Sequence, residues 1–335
     1  MTDPKSEISR RLSAANRLLV VTHARPDGDA LGSMSALASA AIAAGKQAAT
    51  LVPSDVPDRL GFLLLTGPPA KPEKFAELAD WADAVAIVDT CAFAQLDNLD
   101  EALAAAREKI VVVDHHATTD DIGAVRWVDP SAAAAGVMVS ELLEELAWPV
   151  GLAEAESLMT AITSDTGWLR FSNTDGRCLR AAARLTDAGV QCDQLYQRLF
   201  QTDRPQRTRL LARALSNMDL RAEGNISVMK LHLTDFDQTG ALQSETESIV
   251  NEPMRIGCVE VSLLLTETPE TDHSQPNGRV VRVSLRSRGA VDVSAVARRF
   301  GGGGHVRAAG LRAIEDIDTL AEKLVTACQE TTKQP

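Results

Sequence analysis

The sequence predicts an α/β protein: an N-terminal parallel-sheet domain with helices on both faces, joined to a smaller C-terminal α+β domain. Three observations carry this. Residues 1 to about 200 alternate short Val/Ile/Leu runs with alanine-rich helical stretches, the pattern of strands buried on both sides. The 335 residues exceed the usual size of a single core. A charged stretch, QTDRPQRTRLLARALS (201–216), then separates that alternation from a second set of strands and helices. Apolar residues make up 45% of the chain and aromatics only 4%, so aliphatic strands and closely packed alanine-rich helices must build the cores.

In the first region strands are expected at 18–23, 47–52, 84–89 and 109–114, with helices over 29–44, 131–147, 153–164 and 175–189. The third helix runs into SDTGWLRFSNT, whose Gly and Asn are turn formers. Pro205 suits the first turn of a helix, which suggests a semi-rigid helical linker over about 190–216 between domains spanning 1–204 and 217–331. In the second domain strands are expected near 226–233, 256–267 and 279–287, and helices near 240–250, 292–300 and 316–330. The polar stretch TPETDHSQPNG (268–278) reads as a loop between strands.

Composition narrows the function. A net charge of -12 repels nucleic acid and anionic membranes except at a local basic site. Cys91, Cys178, Cys192, Cys258 and Cys328 form no C-x-x-C pair, which argues against a disulfide framework or a zinc cluster and for reduced, mostly buried thiols. The charged, amphipathic N-terminus lacks the apolar core of a secretory signal, and no segment is long enough to span a bilayer. The cytoplasm is the expected location.

Chemistry gathers at the strand ends. Three of the four expected strands of the first region finish in an ionisable residue, His23, Asp89 and Asp114, the last followed at once by His115 and His116. In an open parallel sheet the carboxyl ends of strands form the ligand crevice, where distant segments converge. Asp27 and Asp29 flank a Gly in ARPDGDALG just before a helix, and Asp165 sits where a helix gives way to a loop. Taken singly, Asp-Gly-Asp is more often a turn or a cap, and a strand-end His more often structural. Their joint placement singles them out. Five carboxylates in one crevice repel and lose hydration unless a cation neutralises them. Carboxylate and imidazole donors without thiolate favour Mn²⁺, Mg²⁺ or Fe²⁺, and so many acids suit two ions sharing a bridging one.

THARPDGDALGS, IVDT, VVVDHH and SDTG, in that order, resemble the four N-terminal motifs of the DHH phosphoesterase superfamily. VSLRSRGAVDVSAVARRFGGGGHVRAAG (283–310) resembles the accompanying DHHA1 domain, so the likeness covers nearly the whole chain. The domain pair and length are similar to the nanoRNase and 3'-phosphoadenosine 5'-phosphate (pAp) phosphatase branch. The resemblance implies one metal on His23, Asp27 and Asp89 and a second on Asp29, Asp89, His115 and Asp165, with Asp89 bridging. It further implies that His116 faces the substrate phosphate and that Asp114 orients the neighbouring imidazoles, so that Asp89, His116 and Asp114 form the catalytic group. Two departures stand out: Thr119 where many members have Asn, and Trp168 where Phe or a small residue is commoner.

The implied activity is metal-dependent hydrolysis, with two divalent ions (Mn²⁺ before Mg²⁺ or Fe²⁺), of oligoribonucleotides of two to about five residues, pApA included. Nucleoside 5'-monophosphates are the implied products, with pAp dephosphorylated to AMP. Long nucleic acid and membranes are not expected partners; a homodimer is compatible with the resemblance. Between Pro276 and Arg312 the chain has eight Arg against one acid, Asp292, which concentrates positive potential beside the GGGGH stretch, expected as a loop. Arg286 is suited to fork onto a phosphate, Gly301 to Gly304 (Gly302, Gly303 and Gly304 foremost) let backbone amides approach it, and His305 is placed to hydrogen-bond a phosphate or base. Arg170 is a further phosphate contact. Phe171 can stack on a base, although such a residue is more often core.

Four rivals remain. A cyclic di-AMP phosphodiesterase would share every metal ligand. A RecJ-like single-strand DNA exonuclease would want a further binding module. A manganese pyrophosphatase would have no use for GGGGH, and a nucleotide sensor without turnover would be expected to have lost a ligand, whereas all six are present.

Overall fold

The apolar runs in the first 130 residues become neighbouring strands of one sheet. A computed structural model describes residues 3–97, 99–117, 119–271, 279–289 and 291–332. The chain divides into two units, Met1–Thr202 and Asp203–Pro335. In chain order the first unit contains α1 (Pro4–Ala14), β1 (Arg17–Val21), α2 (Gly28–Ala43), β2 (Gln47–Leu51), α3 (Phe75–Trp81), β3 (Ala84–Val88) and α4 (Asp100–Ala105). It continues with β4 (Ile110–Asp114), β5 (Val125–Val128), α5 (Ala135–Leu146), α6 (Leu152–Asp165), α7 (Gly176–Asp187) and α8 (Cys192–Phe200).

The five strands are all parallel, in the order β2-β1-β3-β4-β5. Successive strand side chains point to opposite faces. Leu18, Val20, Ala86, Val88, Val111 and Val113 enter a core closed by α1, α2, α5, α6 and α7. Leu19, Val21, Val85, Ile87, Ile110 and Val112 enter a second core under α3 and α4. Both faces are therefore covered, as the unbroken apolar runs require. Strand β5, VRWV, was not expected: it is a half-buried edge strand carrying Arg126, and it has no apolar run to announce it.

Helices α2 and α6 cross at close range because Gly28 and Gly32 leave α2 without side chains where they meet. A Cβ on Gly32 would stand 2.3 Å from the Ser157 carbonyl oxygen, and one on Gly28 would stand 1.9 Å from Ser164 Oγ. This approach brings the start of α2 to the end of α6.

The second unit contains α9 (Pro205–Ser216), β6 (Asp219–Arg221), β7 (Ile226–Leu231), α10 (Leu233–Thr239), β8 (Val261–Thr271), β9 (Arg279–Ser287), α11 (Val293–Arg298), β10 (Gly303–His305), β11 (Ala308–Ile314) and α12 (Ile317–Thr332). Its six-stranded sheet has the order β10-β11-β9-β8-β7-β6; only the β7–β8 pair is parallel. Helices α11 and α12 cover one face, while α9 and α10 cover the β7–β8 part of the other.

Three expectations need correction here. The helix expected over 240–250 is α10 followed by 3₁₀ turns at 243–246 and 249–255, because Gly240 closes α10 in a left-handed conformation (φ 69°). The stretch expected as a loop over 268–278 is still strand as far as Thr271, and residues 272–278 lie outside the described residues. Within GGGGH, Gly303 to His305 pair with β11 as a short strand, so the run is not simply a loop. Among the described residues no helix is long and apolar enough to cross a membrane. Cys91, Cys178 and Cys328 are buried and Cys192 and Cys258 exposed.

Candidate metal centre

Strands β1, β3 and β4 lie side by side and parallel, so their carboxyl ends meet at one edge of the sheet. The strand order reverses direction between β1 and β3, which is where an open α/β sheet leaves its crevice. His23 follows β1, Asp89 follows β3, and Asp114 to His116 end and follow β4. The other acids come from helix ends. Asp27 is the N-cap of α2, its Oδ1 accepting the Asp29 and Ala30 amides at 3.0 and 3.1 Å. Asp165 is the last residue of α6, where the helix dipole offers a carboxylate no support.

Asp29 is wholly buried and accepts from the amides of Ala135 (2.7 Å) and Gly136 (2.8 Å) and from Ser33 Oγ (3.1 Å). The N-terminus of α5 is thereby pinned to the site. No polar residue in SAAAAG announced that contact. The only hint was Gly136, where a Cβ would come within 2.5 Å of Ala161 Cβ and 3.4 Å of Asp29 Oδ1.

Asp89 adopts a left-handed conformation (φ 62°), which Asp tolerates better than most residues, and its amide donates to the Val113 carbonyl at 3.0 Å. Its two oxygens face different imidazoles: Oδ2 is 3.4 Å from His23 Nε2 and Oδ1 is 3.4 Å from His115 Nε2. His115 Nε2 also lies 3.3 Å from Asp165 Oδ2 and 3.7 Å from Asp29 Oδ2. Each imidazole is oriented through its other nitrogen. His23 Nδ1 donates to the Ala24 carbonyl at 2.9 Å and His115 Nδ1 to the Ala132 carbonyl at 3.2 Å, leaving both Nε2 atoms directed inward.

His116 differs. Its Nδ1 donates to Asp114 Oδ1 at 2.8 Å, and its amide reaches the same oxygen at 3.2 Å. Asp114 thus orients His116 alone; the expectation that it orients both imidazoles is corrected, since the Ala132 carbonyl holds His115.

Without a cation the site is electrostatically poor. Asp89 Oδ1 and His115 Nε2 are buried and have no hydrogen-bond partner among the described residues, nor has Asp114 Oδ2. Burial disfavours charge on His23, but the Asp89 carboxylate outweighs it and lifts the pKa to about 9. Burial likewise opposes charge on His115, and the Asp165 and Asp89 carboxylates lift it to about 11. Burial raises Asp29 well above the usual carboxylate range, and the charges of Asp89 and Asp165 add to the rise. Enclosure and the same two charges raise Asp27, although that residue reaches solvent. Burial works against ionised Asp89, but its contacts with His115 and His23 hold its pKa low. Protons on imidazoles here stand in for missing positive charge.

The donor set fits divalent cations. Atoms of His23, Asp27 and Asp89 lie within 4.8 Å of one another, as do those of Asp29, His115 and Asp165, and those of Asp89, His115 and His116. Oxygen and imidazole donors without thiolate suit Mn²⁺, Mg²⁺ or Fe²⁺. Asp89 Oδ1, and His115 Nε2 once its proton has left, offer lone pairs that a cation would use.

The expected substrate residues are more scattered. Arg170 is exposed, and its Nε donates to the Gly167 carbonyl at 2.7 Å. Phe171 is 55% exposed and lies outside the core: Trp168 and Leu169, both at positive φ, pack on the core, and the Phe171 ring lies over Gly167. Asn173, not singled out in the sequence, ties this loop down by donating to the Ala133 and Asp165 carbonyls.

In the second unit Arg286 is half-buried on β9, in register with Ala308 of β11, which pairs in turn with His305 of β10. Four of the eight arginines are compensated by acids from outside the segment, which narrows the expected basic patch. Arg279 meets Glu267, Arg288 meets Glu260, Arg299 meets Glu330 and Arg312 meets Glu270.

The DHH family, N-terminal domain, matches residues 17–164, and the DHHA1 domain matches residues 225–331. The chain is 32% identical over 316 residues to the bifunctional oligoribonuclease and PAP phosphatase NrnA of Thermus thermophilus, covering 93% of this chain and 89% of that protein. It is 26% identical to the protein of the same name from Bacillus subtilis, over 97% of this chain and 99% of that one. A solved exopolyphosphatase-related protein from Bacteroides fragilis shares the fold, with a TM-score of 0.88 at 22% identity over 98% of this chain and 96% of that one. The chain therefore belongs to the DHH phosphoesterase superfamily, with a DHHA1 domain following its DHH domain.

Proposed function

We propose that this protein hydrolyses short oligoribonucleotides, from two to about five residues and including pApA, to nucleoside 5'-monophosphates, and converts pAp to AMP. The activities printed in the names of its full-length relatives support this reading, as does a site built for cations and phosphate. The observation that carries it is the division of Asp89's two oxygens between His23 and His115. His23, Asp27 and Asp89 would hold one ion, and Asp29, Asp89, His115 and Asp165 the other, with manganese as the first choice. Two such ions supply Lewis-acid chemistry, neutralising phosphate charge and making water acidic enough to attack near neutral pH.

The chain's own groups do the rest. The Ala24 and Ala132 carbonyls fix the tautomers of His23 and His115, so neither ring need reorganise to bind. His116 keeps its Nδ1 proton on Asp114, which leaves Nε2 as donor to a phosphate oxygen or to the departing alkoxide. The buried Asp114 carboxylate stabilises the charged ring; its hydrogen bond raises the His116 pKa. Arg286, His305 and the Gly302, Gly303 and Gly304 backbone bind a second phosphate, and Arg170 and Phe171 make further substrate contacts.

The test is an assay of the purified chain with Mn²⁺ on pApA, pAp, cyclic di-AMP and pyrophosphate in parallel. Release of AMP from pApA and pAp is expected. Turnover of cyclic di-AMP alone, or binding without turnover of any, contradicts the reading.

A further inference from the structure

The open face of the second sheet carries a row of groups that one phosphate site does not use. Strand register sets three rows across β10, β11 and β9: His305, Ala308 and Arg286; then Gly303, Gly310 and Ser284; then Arg312 and Arg282. Val283 and Leu285 turn to the core, so Arg282, Ser284 and Arg286 share the opposite face. A cavity of about 300 Å³ is lined by Arg282, Ser284, Arg286 and Ser248 together with one acid, Glu247, and a second of about 430 Å³ by Arg282, Ser284, Gly310 and Arg312. The two hollows adjoin along Arg282 and Ser284.

Charge sets Arg282 apart from its neighbours. Arg312 is gripped by Glu270 at 2.9 and 3.2 Å. Half-buried Arg282 forms no ion pair among the described residues; its Nη2 donates to the Gln243 carbonyl at 3.1 Å and to Thr246 Oγ1. Arg286 forms no ion pair there either, though the charge of Glu247 acts on it. A partly desolvated guanidinium with only neutral acceptors lacks the counter-charge that usually accompanies it. Each row advances two residues along the strand, about 6.7 Å, a step comparable with that between phosphates of an extended single strand. The middle row has two glycines and a serine, which let a sugar-phosphate backbone lie close to the sheet.

We propose that Arg282 is a second phosphate station, two rows from Arg286, that engages the additional phosphates of tri- to pentanucleotides. This rests on the oligoribonuclease reading above and adds a basis for length preference. A dinucleotide or pAp carries two phosphates and cannot span three rows, so neither gains from Arg282.

The experiment is a length series with the Mn²⁺-loaded full chain: pAp and 5'-phosphorylated oligoadenylates of two to five residues, for wild type, Arg282→Gln and Arg282→Lys. Arg282→Gln is expected to lower kcat/KM on the pentanucleotide about tenfold, through KM, the scale of one lost charge-assisted contact. It should leave pAp and the dinucleotide within about twofold and shrink the salt slope for the pentanucleotide by about 0.7, the share of one phosphate contact. Arg282→Lys should restore part of the loss. An equal fall on every substrate would mean that Arg282 only braces residues 243–250, and no fall at any length would mean that no phosphate reaches it; either overturns the station. A wild-type protein that cleaves no oligonucleotide instead defeats the functional reading beneath it.

Discussion

Asp114 Oδ1 accepts a hydrogen bond from His116 Nδ1 over 2.8 Å, and its second oxygen is buried with no hydrogen-bond partner among the described residues. None of the three candidate ligand groups contains Asp114. Its substitution should therefore separate proton handling from metal binding. Asp114→Asn should lower kcat roughly 10- to 100-fold, the scale of losing an orienting carboxylate, while bound metal stays unchanged. Steady-state kinetics with metal analysis of the same samples checks this; loss of metal in step with kcat would place Asp114 among the ligands.

Metal affinity should rise with pH. In the metal-free protein His23 has a pKa of about 9 and His115 of about 11, so both rings are protonated at pH 7 and each must release its Nε2 proton to become a ligand. Asp27 and Asp29, also raised, act in the same direction. Calorimetric titration with Mn²⁺ in buffers of different protonation enthalpy should show net proton release at pH 7 and tighter binding at pH 8 than at pH 6. Binding independent of pH and buffer would contradict this electrostatic picture.

The α2–α6 crossing should be intolerant of a single methyl. Gly32→Ala sets a Cβ against the Ser157 carbonyl, which is backbone and cannot rotate away. A cost of about 1–3 kcal/mol is expected, as for overpacked cores, together with weaker Mn²⁺ binding, since Asp27 and Asp29 open α2 while Asp165 ends α6. Thermal melts and metal titrations of the variant test this. Gly61→Ala, at a position where nothing lies within 4 Å of the added Cβ, is the control.

The parts of this architecture that announce themselves in the sequence are those with a periodic or chemical signature. The three central strands, β1, β3 and β4, show as unbroken apolar runs because both their faces are buried. His23, Asp89 and Asp114 to His116 stand where those runs stop, and Asp27, Asp29 and Asp165 stand at helix ends. What escaped lacks such a signature: β5 is a four-residue edge strand interrupted by Arg126, β10 has only three residues, and β11 opens on Ala-Ala-Gly. The Ala132 carbonyl and the Ala135 and Gly136 amides that orient His115 and Asp29 are backbone groups, which any residue type supplies. The arginine cluster misled for a related reason: its counter-charges, Glu260, Glu267, Glu270 and Glu330, lie outside the basic segment and reach it only through strand pairing and helix packing.

The decisive measurement is anomalous diffraction at the manganese edge from Mn²⁺-loaded crystals of the wild type and of Asp89→Asn. Two manganese peaks on either side of Asp89 are expected in the wild type, one beside His23 and Asp27 and one beside Asp29, His115 and Asp165, with at least one peak lost in the variant. A single peak, peaks away from these residues, or two undiminished peaks in Asp89→Asn would show that Asp89 is not the ligand shared by two ions.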